Sequence, residues 1–283
     1  MIRVGFLIDY TEYVGGMNYI YNLIYAAKKA DKNNEVEFVL FFGKNAERNI
    51  INRFEEYSTI IQTEFCDKKS LRWYLYKILF KFLNITYPIS TLMGKNNIHI
   101  LSHSSFYGKK LNFKTIEWLP DFQFIHLPYM FTRFERIRRE RLYRGTIKYA
   151  DALIVSSNDG KDDFDNFTDC NHNKLNILQF TAQPNNKIYQ LDYNKKLMDK
   201  YKINKNFFYM PNQLWKHKNH LIVIEALKIL KDKGLGMQVV CSGGLEDFRS
   251  PKFKKEIMDK IKDYELEDGI IFLGMIPYLD VQY

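Results

Sequence analysis

Cysteine is scarce: Cys66, Cys170 and Cys241 stand far apart in 283 residues, with no CxxC pair and no histidine at ligand spacing. That pattern excludes a disulfide framework and a zinc site, and it suits a reducing cytoplasm. No apolar run approaches the roughly 20 residues of a membrane-spanning helix. The first residues, MIRVGFLID, meet Asp9 before the apolar centre of a secretory signal can form, so no such signal is expected. Internal repeats are missing, and so is any basic-aromatic motif of a nucleic-acid module. The formal charge of +9 suits nucleic acid, an anionic membrane surface or phosphorylated substrates, and charge alone does not choose among them.

What is present describes a globular chain. Hydrophobic residues at 46% against 27% charged exclude general disorder, and the length gives about two domains, each with chain enough for a core. Residues 2–8 form an apolar run of the kind found in a central parallel strand, buried on both faces. A loop holding Gly15 and Gly16 follows, then a helix over 17–27 with Ile20, Leu23, Ile24 and Ala27 on one face. A glycine pair there lets backbone N–H groups approach a ligand closely, and it equally serves as a plain turn. Further strands are expected at 35–42, 98–102, 115–119, 152–156 and 175–180. Strands alternating with helical segments call for a parallel sheet. Residues 70–83 read as a helix whose Lys77 and Lys81 lie near Trp73 and Phe80. Such a helix fits an anionic bilayer surface, and it fits a sheet face as well.

Two loops carry chemistry. WLPDFQFIHLPYMFT, residues 118–132, follows a strand, and Pro120 and Pro128 keep it from being one regular helix. It places Asp121, Gln123 and His126 at a strand end, where doubly wound folds bind ligands. The cationic stretch RFERIRRERLYRGTIK comes next, either a solvated helix or one with arginines facing a cleft. The second loop, PNQLWKHK, joins a strand at 207–210 to a helix beginning near Asn219, whose expected apolar face is Val223, Ala226, Leu227 and Leu230. A strand-to-helix loop of this kind is a usual place for phosphate. Beyond it are a strand at 237–242, the Gly243-Gly244 turn, a helix over 251–264, a strand at 270–273 and the entry to another helix.

PNQLWKHKNH followed by an apolar helix with an EAL core resembles the loop that opens the second domain of group 1 glycosyltransferases, the retaining sugar-nucleotide enzymes of GT-B fold. Where many members show G-R-L-x-x-x-K-G, Lys218 falls on the lysine and Gln213 on the arginine, leaving one cation where the family has two. The 118–132 loop resembles the PDFQHxHLPxFF-like segment of one branch, with His126 on the second histidine and Phe124 at the first. The Gly15-Gly16 pair and the ADALIVSS strand with its following SNDGKDDF are similar to the family's as well.

The resemblance implies an α/β protein of GT-B type. Residues 1–183 form a Rossmann-like, acceptor-side domain, 184–206 an interdomain crossing, and 207–283 an incomplete Rossmann-like donor domain. The family's E-x7-E segment and later Gly-rich turn have no counterpart here, so an inactive fragment is expected. The implied activity is transfer of a sugar, with retention, from a nucleotide diphosphate sugar to an acceptor hydroxyl in cell-surface glycan assembly. Lys218, Asn212, Gln213, Gly15 and Gly16 are the donor and phosphate-binding candidates, His126 the catalytic one, and Asp121 and Gln123 lie on the acceptor side. No metal site and no cofactor beyond the donor substrate are expected. The acceptor is a glycan or lipid-linked, the location cytoplasmic or peripheral on the inner face of the cell membrane, and no nucleic-acid partner is expected. The alternative is a catalytically silent partner that keeps the sugar-nucleotide fold.

Overall fold

The computed structural model describes residues 1–9, 14–67, 70, 74, 86–104, 111–169, 172–184, 191–203 and 206–282. Most of the expected helix at 70–83, including Lys77 and Lys81, lies outside them, as does Cys170. The chain divides into two compact units, Met1–Ala182 and Gln183–Tyr283.

The first unit is a seven-stranded sheet of order β3-β2-β1-β4-β5-β6-β7, parallel at every pairing. Its strands are β1 (Ile2–Ile8), β2 (Val36–Phe42), β3 (Thr59–Gln62), β4 (Ile100–Ser102), β5 (Lys114–Trp118), β6 (Ala152–Val155) and β7 (Leu175–Ile177). Its described helices include α1 (Val14–Ala30), α2 (Arg48–Asn52), α3 (Tyr87–Lys95), α4 (Gln123–His126), α5 (Arg133–Tyr149) and α6 (Asn158–Phe167). Side chains alternate across a strand, so an unbroken apolar run fills two layers at once. Phe6, Ile8, Phe38, Leu40 and Phe42 pack with Met17 and Ile24 of α1, while Leu7, Val39 and Phe41 pack on the other side with Ile89 and Met93 of α3. A third cluster joins Leu153 and Val155 of β6 to Phe122, Phe124, Tyr143, Ile147 and Phe164. Each such side chain, fully buried, contributes about 1.5–3 kcal/mol.

The second unit has a parallel sheet of order β10-β9-β8, formed by β8 (Phe207–Met210), β9 (Gln238–Cys241) and β10 (Ile270–Phe272). One face is covered by α8 (His220–Asp232) and α9 (Phe253–Asp263), whose Ile224, Leu227, Phe253, Ile257 and Ile261 enclose Val239 and Cys241. Against the sheet also lie α7 (Leu191–Tyr201) and α10 (Tyr278–Gln282), beside a half-open cavity of about 220 Å³ lined by Leu197, Tyr201, Tyr209, Val240 and Ile276.

Several expectations change. Gly15 and Gly16 belong to the first turn of α1 and not to a loop before it. The buried stripe of α8 is His220, Ile224 and Leu227, and Ala226 is exposed, because the helix is rotated toward the i, i+4, i+7 set that begins at its first residue. Asn219 occupies the N-cap position, yet its side chain makes no capping bond and its backbone is left-handed at φ 55°, closing the 3-10 turn Lys216–Lys218. The segment 184–206 carries helix α7, where a polar crossing was expected. Strand β3 and helix α3 have no counterpart in the expected set.

Candidate functional site

In the first unit, β1 and β4 are neighbours while the chain between them builds β2 and β3 outward on the far side. This reversal leaves a crevice at the carboxyl ends of β1 and β4, the position at which open α/β sheets bind ligands. His103, directly after β4, sits there in a left-handed conformation at φ 53°. Its Nε2 lies 2.8 Å from Tyr19 Oη and its Nδ1 2.8 Å from Ser102 Oγ, so both ring nitrogens are engaged. Phe6 stacks on the imidazole at 5.6 Å, and Trp118 and Tyr19 approach it at 5.8 and 5.3 Å. Burial among these rings pushes the His103 pKa down to about 4 and the Tyr19 phenol up to about 12, which keeps both neutral.

The neighbouring strand end adds a carboxyl group. Glu117 of β5 is 2% exposed, and Ser104 Oγ donates to its Oε1 at 2.6 Å. Burial raises its pKa to about 8 against the smaller opposing effect of that hydrogen bond. Trp118 Nε1 donates to Ser156 Oγ at 2.9 Å, and Phe180 stands edge-on to both Trp118 and Tyr19. Tyr19, His103, Glu117 and Trp118 were not among the residues singled out in the sequence. The usable signal was that 103, 118 and 156 each follow or end a strand.

His126 is exposed on the one-turn helix α4, with Nε2 2.6 Å from Asp163 Oδ1 of α6. Helix α6 is set by Ser157, whose Oγ accepts the Gly160 N–H at 2.9 Å. Asp121 works on the backbone: its Oδ1 accepts the Gln123 N–H at 3.1 Å and its carbonyl accepts the Tyr143 hydroxyl at 2.8 Å. These two bonds fix where α4 begins and place Gln123 at its start.

In the second unit the loop 211–219 leaves the carboxyl end of β8 and feeds α8. Gly243, at φ +128°, lets the next loop press against it: a Cβ there would lie 2.8 Å from Asn212 C and Gln213 N. Only glycine tolerates both that dihedral and that approach. Leu214 N–H donates to Gly244 O at 2.9 Å, and Gly243 N–H to Gly274 O at 2.8 Å, so the loops after β8, β9 and β10 are bonded in series. The buried Asp247 accepts the Lys216 and Arg249 N–H groups at 3.0 Å each, and the Arg249 guanidinium lies over Trp215 at 4.9 Å. His220 is buried under the loop beside the Asn212 backbone, and burial holds its pKa below the usual histidine value. On this support Gln213 and Lys218 are exposed and Asn212 is half-buried, and Lys218 has no carboxylate partner among the described residues. Asp247, Arg249 and His220 also went unnoticed in the sequence, since their work is to hold a loop and no short motif marks it.

Among the described residues, no group of three or more His, Cys, Asp or Glu side chains is arranged to hold a metal ion. None of the described helices is long and apolar enough to cross a membrane.

Several solved structures share this architecture. HepE of Anabaena, in complex with UDP and glucose, superposes with a TM-score of 0.66 at 14% identity, over 100% of this chain and 71% of that one. A glycosyltransferase from Rickettsia africae gives 0.62 at 15% identity, over 99% and 70%. UDP-GlcNAc 2-epimerase from Neisseria meningitidis, bound to UDP-GlcNAc, gives 0.54 at 12% identity, over 100% and 74%. At these identities the likeness is one of fold, and it agrees with the expected α/β, GT-B-type pair of Rossmann-like units. No protein-family model matches the sequence. No curated protein matches it either.

Proposed function

We propose that this chain belongs to a nucleotide-sugar-dependent glycosyltransferase, with the second unit holding the donor and the first the acceptor. The observation that carries the reading is the 211–219 loop: a braced strand-to-helix connection that presents Lys218, an ammonium without a carboxylate partner among the described residues. Supporting it, the Anabaena neighbour was solved with UDP and with UDP-glucose in separate structures. In the proposed reaction the bond between the anomeric carbon and the diphosphate breaks as the acceptor hydroxyl bonds to that carbon, with retention. Charge grows on the leaving diphosphate, and a fixed cation stabilises it most where water is excluded. Lys218 takes that role, with Asn212 and Gln213 as neutral donors beside it. The backbone at Gly15 and Gly16 positions a substrate.

On the acceptor side, His126, oriented by Asp163, hydrogen-bonds the transferred sugar or the acceptor, and Asp121 and Gln123 set the turn that carries it. The crevice of Tyr19, His103, Trp118 and Phe180 offers aromatic faces and hydroxyls suited to a glycan acceptor, as cell-surface polysaccharide assembly requires. UDP titrated into the protein and followed by amide chemical shifts tests the reading. Shifts confined to 211–219 and the 243–247 turn, reduced by Lys218→Ala, support it; shifts elsewhere that ignore that substitution defeat it. A second reading, a catalytically silent partner that binds the nucleotide, is favoured by Gln213 at the family's arginine position. UDP binding with no turnover of any UDP-sugar would select it.

A further inference from the structure

Helix α5 buries only Tyr143, Thr146 and Ile147, and the opposite side of the same helix is unusual for a surface. Phe134 is 75% exposed, Ile137 39% and Leu142 45%, and in the turn just before the helix Tyr129 is 76% exposed. Beside them stand the exposed cations Arg133, Arg138 and Arg141, and further along the helix the exposed Lys148, which lies over the Tyr149 ring at 5.5 Å. The helix has only two carboxylates besides, and both are committed. Glu135 accepts from the Thr132 backbone at 2.8 Å in a capping box, and Glu140 accepts from Arg144 Nε at 3.0 Å. Two other arginines serve elsewhere, Arg139 over Phe131 and Arg144 over Phe167. The outward face therefore interleaves large apolar groups with cations and has no acid of its own.

We infer that this face of α5, with Tyr129, docks on a bilayer surface bearing anionic headgroups. Cations alone would suit any polyanion, and apolar groups alone would suit another protein. Both together, within one helical face, match an interface where phosphate oxygens and acyl carbon lie a few ångströms apart. Tyr129 and Phe134 carry rings on which a base can stack, but aliphatic Ile137 and Leu142 beside them do not, which favours acyl carbon over a base. The helix runs back from the carboxyl end of β5 to the start of β6, so its Phe134 end lies at the sheet edge that carries His103 and Trp118. Docking there would bring the crevice to the membrane, where a lipid-linked molecule is held. This placement differs from the 70–83 helix suggested by the sequence.

Co-sedimentation of the whole chain with phosphatidylcholine vesicles, with and without phosphatidylglycerol, tests the inference. Binding is expected only with the anionic lipid, and raising salt should weaken it. At about fivefold per cation, Arg138→Gln with Arg141→Gln should weaken it roughly 25-fold. Tyr129→Ser with Phe134→Ser should weaken it at unchanged charge, and Phe134→Trp should add a blue-shifted emission on vesicles. A matched pair on the other unit, Lys252→Gln with Lys255→Gln, should leave binding within about twofold. Equal losses from both charge pairs, or no vesicle binding by the wild type, overturn the proposal. So does binding of a random-sequence RNA that depends on Arg138 and Arg141 while vesicles fail to bind.

Discussion

His126 Nε2 and Asp163 Oδ1 lie 2.6 Å apart, tying the one-turn helix α4 to α6 across 37 residues. The imidazole is largely exposed, so the pair contributes little to stability, about 0–1 kcal/mol. His126→Asn should therefore leave the urea midpoint nearly unchanged. Where a UDP-sugar is turned over, turnover should fall by the worth of a neutral hydrogen bond, about 0.5–1.5 kcal/mol of transition-state stabilisation. Equal turnover with Asn at 126 would give the pair a purely structural role.

Glu117 and His103 predict opposite pH slopes. Glu117 has its folded pKa raised to about 8 from 4.5, so between those values the folded state holds more protons than the unfolded and stability falls as pH rises. His103 is lowered to about 4 from 6.5, so in that window the unfolded state holds more protons and stability falls as pH drops. Each slope approaches about 1.4 kcal/mol per pH unit at most. Melting temperature from pH 6.5 to 8 should decline in the wild type and stay flatter in Glu117→Gln. The acid side should flatten in His103→Asn.

Gly243→Ala should destabilise the second unit by about 2–4 kcal/mol, since it adds a Cβ against the Asn212–Gln213 backbone at a dihedral that L residues avoid. Urea unfolding measures it. Gly244→Ala is the comparison, because a Cβ there meets nothing within 4 Å.

Lys218→Ala should weaken UDP binding by about 1 kcal/mol, roughly fivefold, the usual ceiling for a partly exposed ion pair. Lys216→Ala should matter less, because the loop uses the backbone N–H of that residue, bound to Asp247. Calorimetric titration of both variants decides it, and equal small effects would return the loop to a solvated turn.

The fold was legible wherever burial is two-sided. β1 and β2 show it, read to the residue and off by one. β8 was also read to the residue, though Phe207 and Phe208 are exposed, because an apolar run between polar flanks has few other uses. β3 was illegible because its four residues, TIIQ, are half polar and lie at a sheet edge. The glycines of α1 were taken for a turn because glycine disfavours helix interiors, yet in a first turn the N–H groups have no helical partners to lose. The loops around Lys218 and His126 were legible as motifs. The crevice was not: Tyr19, His103, Glu117 and Trp118 come from three stretches up to 99 positions apart, and only the strand order brings them together.

That strand order also sets a clock on synthesis. Val4 pairs with Ile100, and Arg3 N–H donates to His99 Nδ1 across 96 residues, while the other side of β1 is satisfied by β2, which ends at Phe42. From Phe42 to Ser102, the end of β4, the ribosome adds sixty residues, which at ordinary rates takes roughly 3–12 s. Throughout that interval β1 has one apolar strand edge with no partner yet made, in a topology whose non-local pairing closes slowly. Recovery of intact protein from cells should therefore respond to translation speed through codons 43–99 more than to the stability of the finished fold.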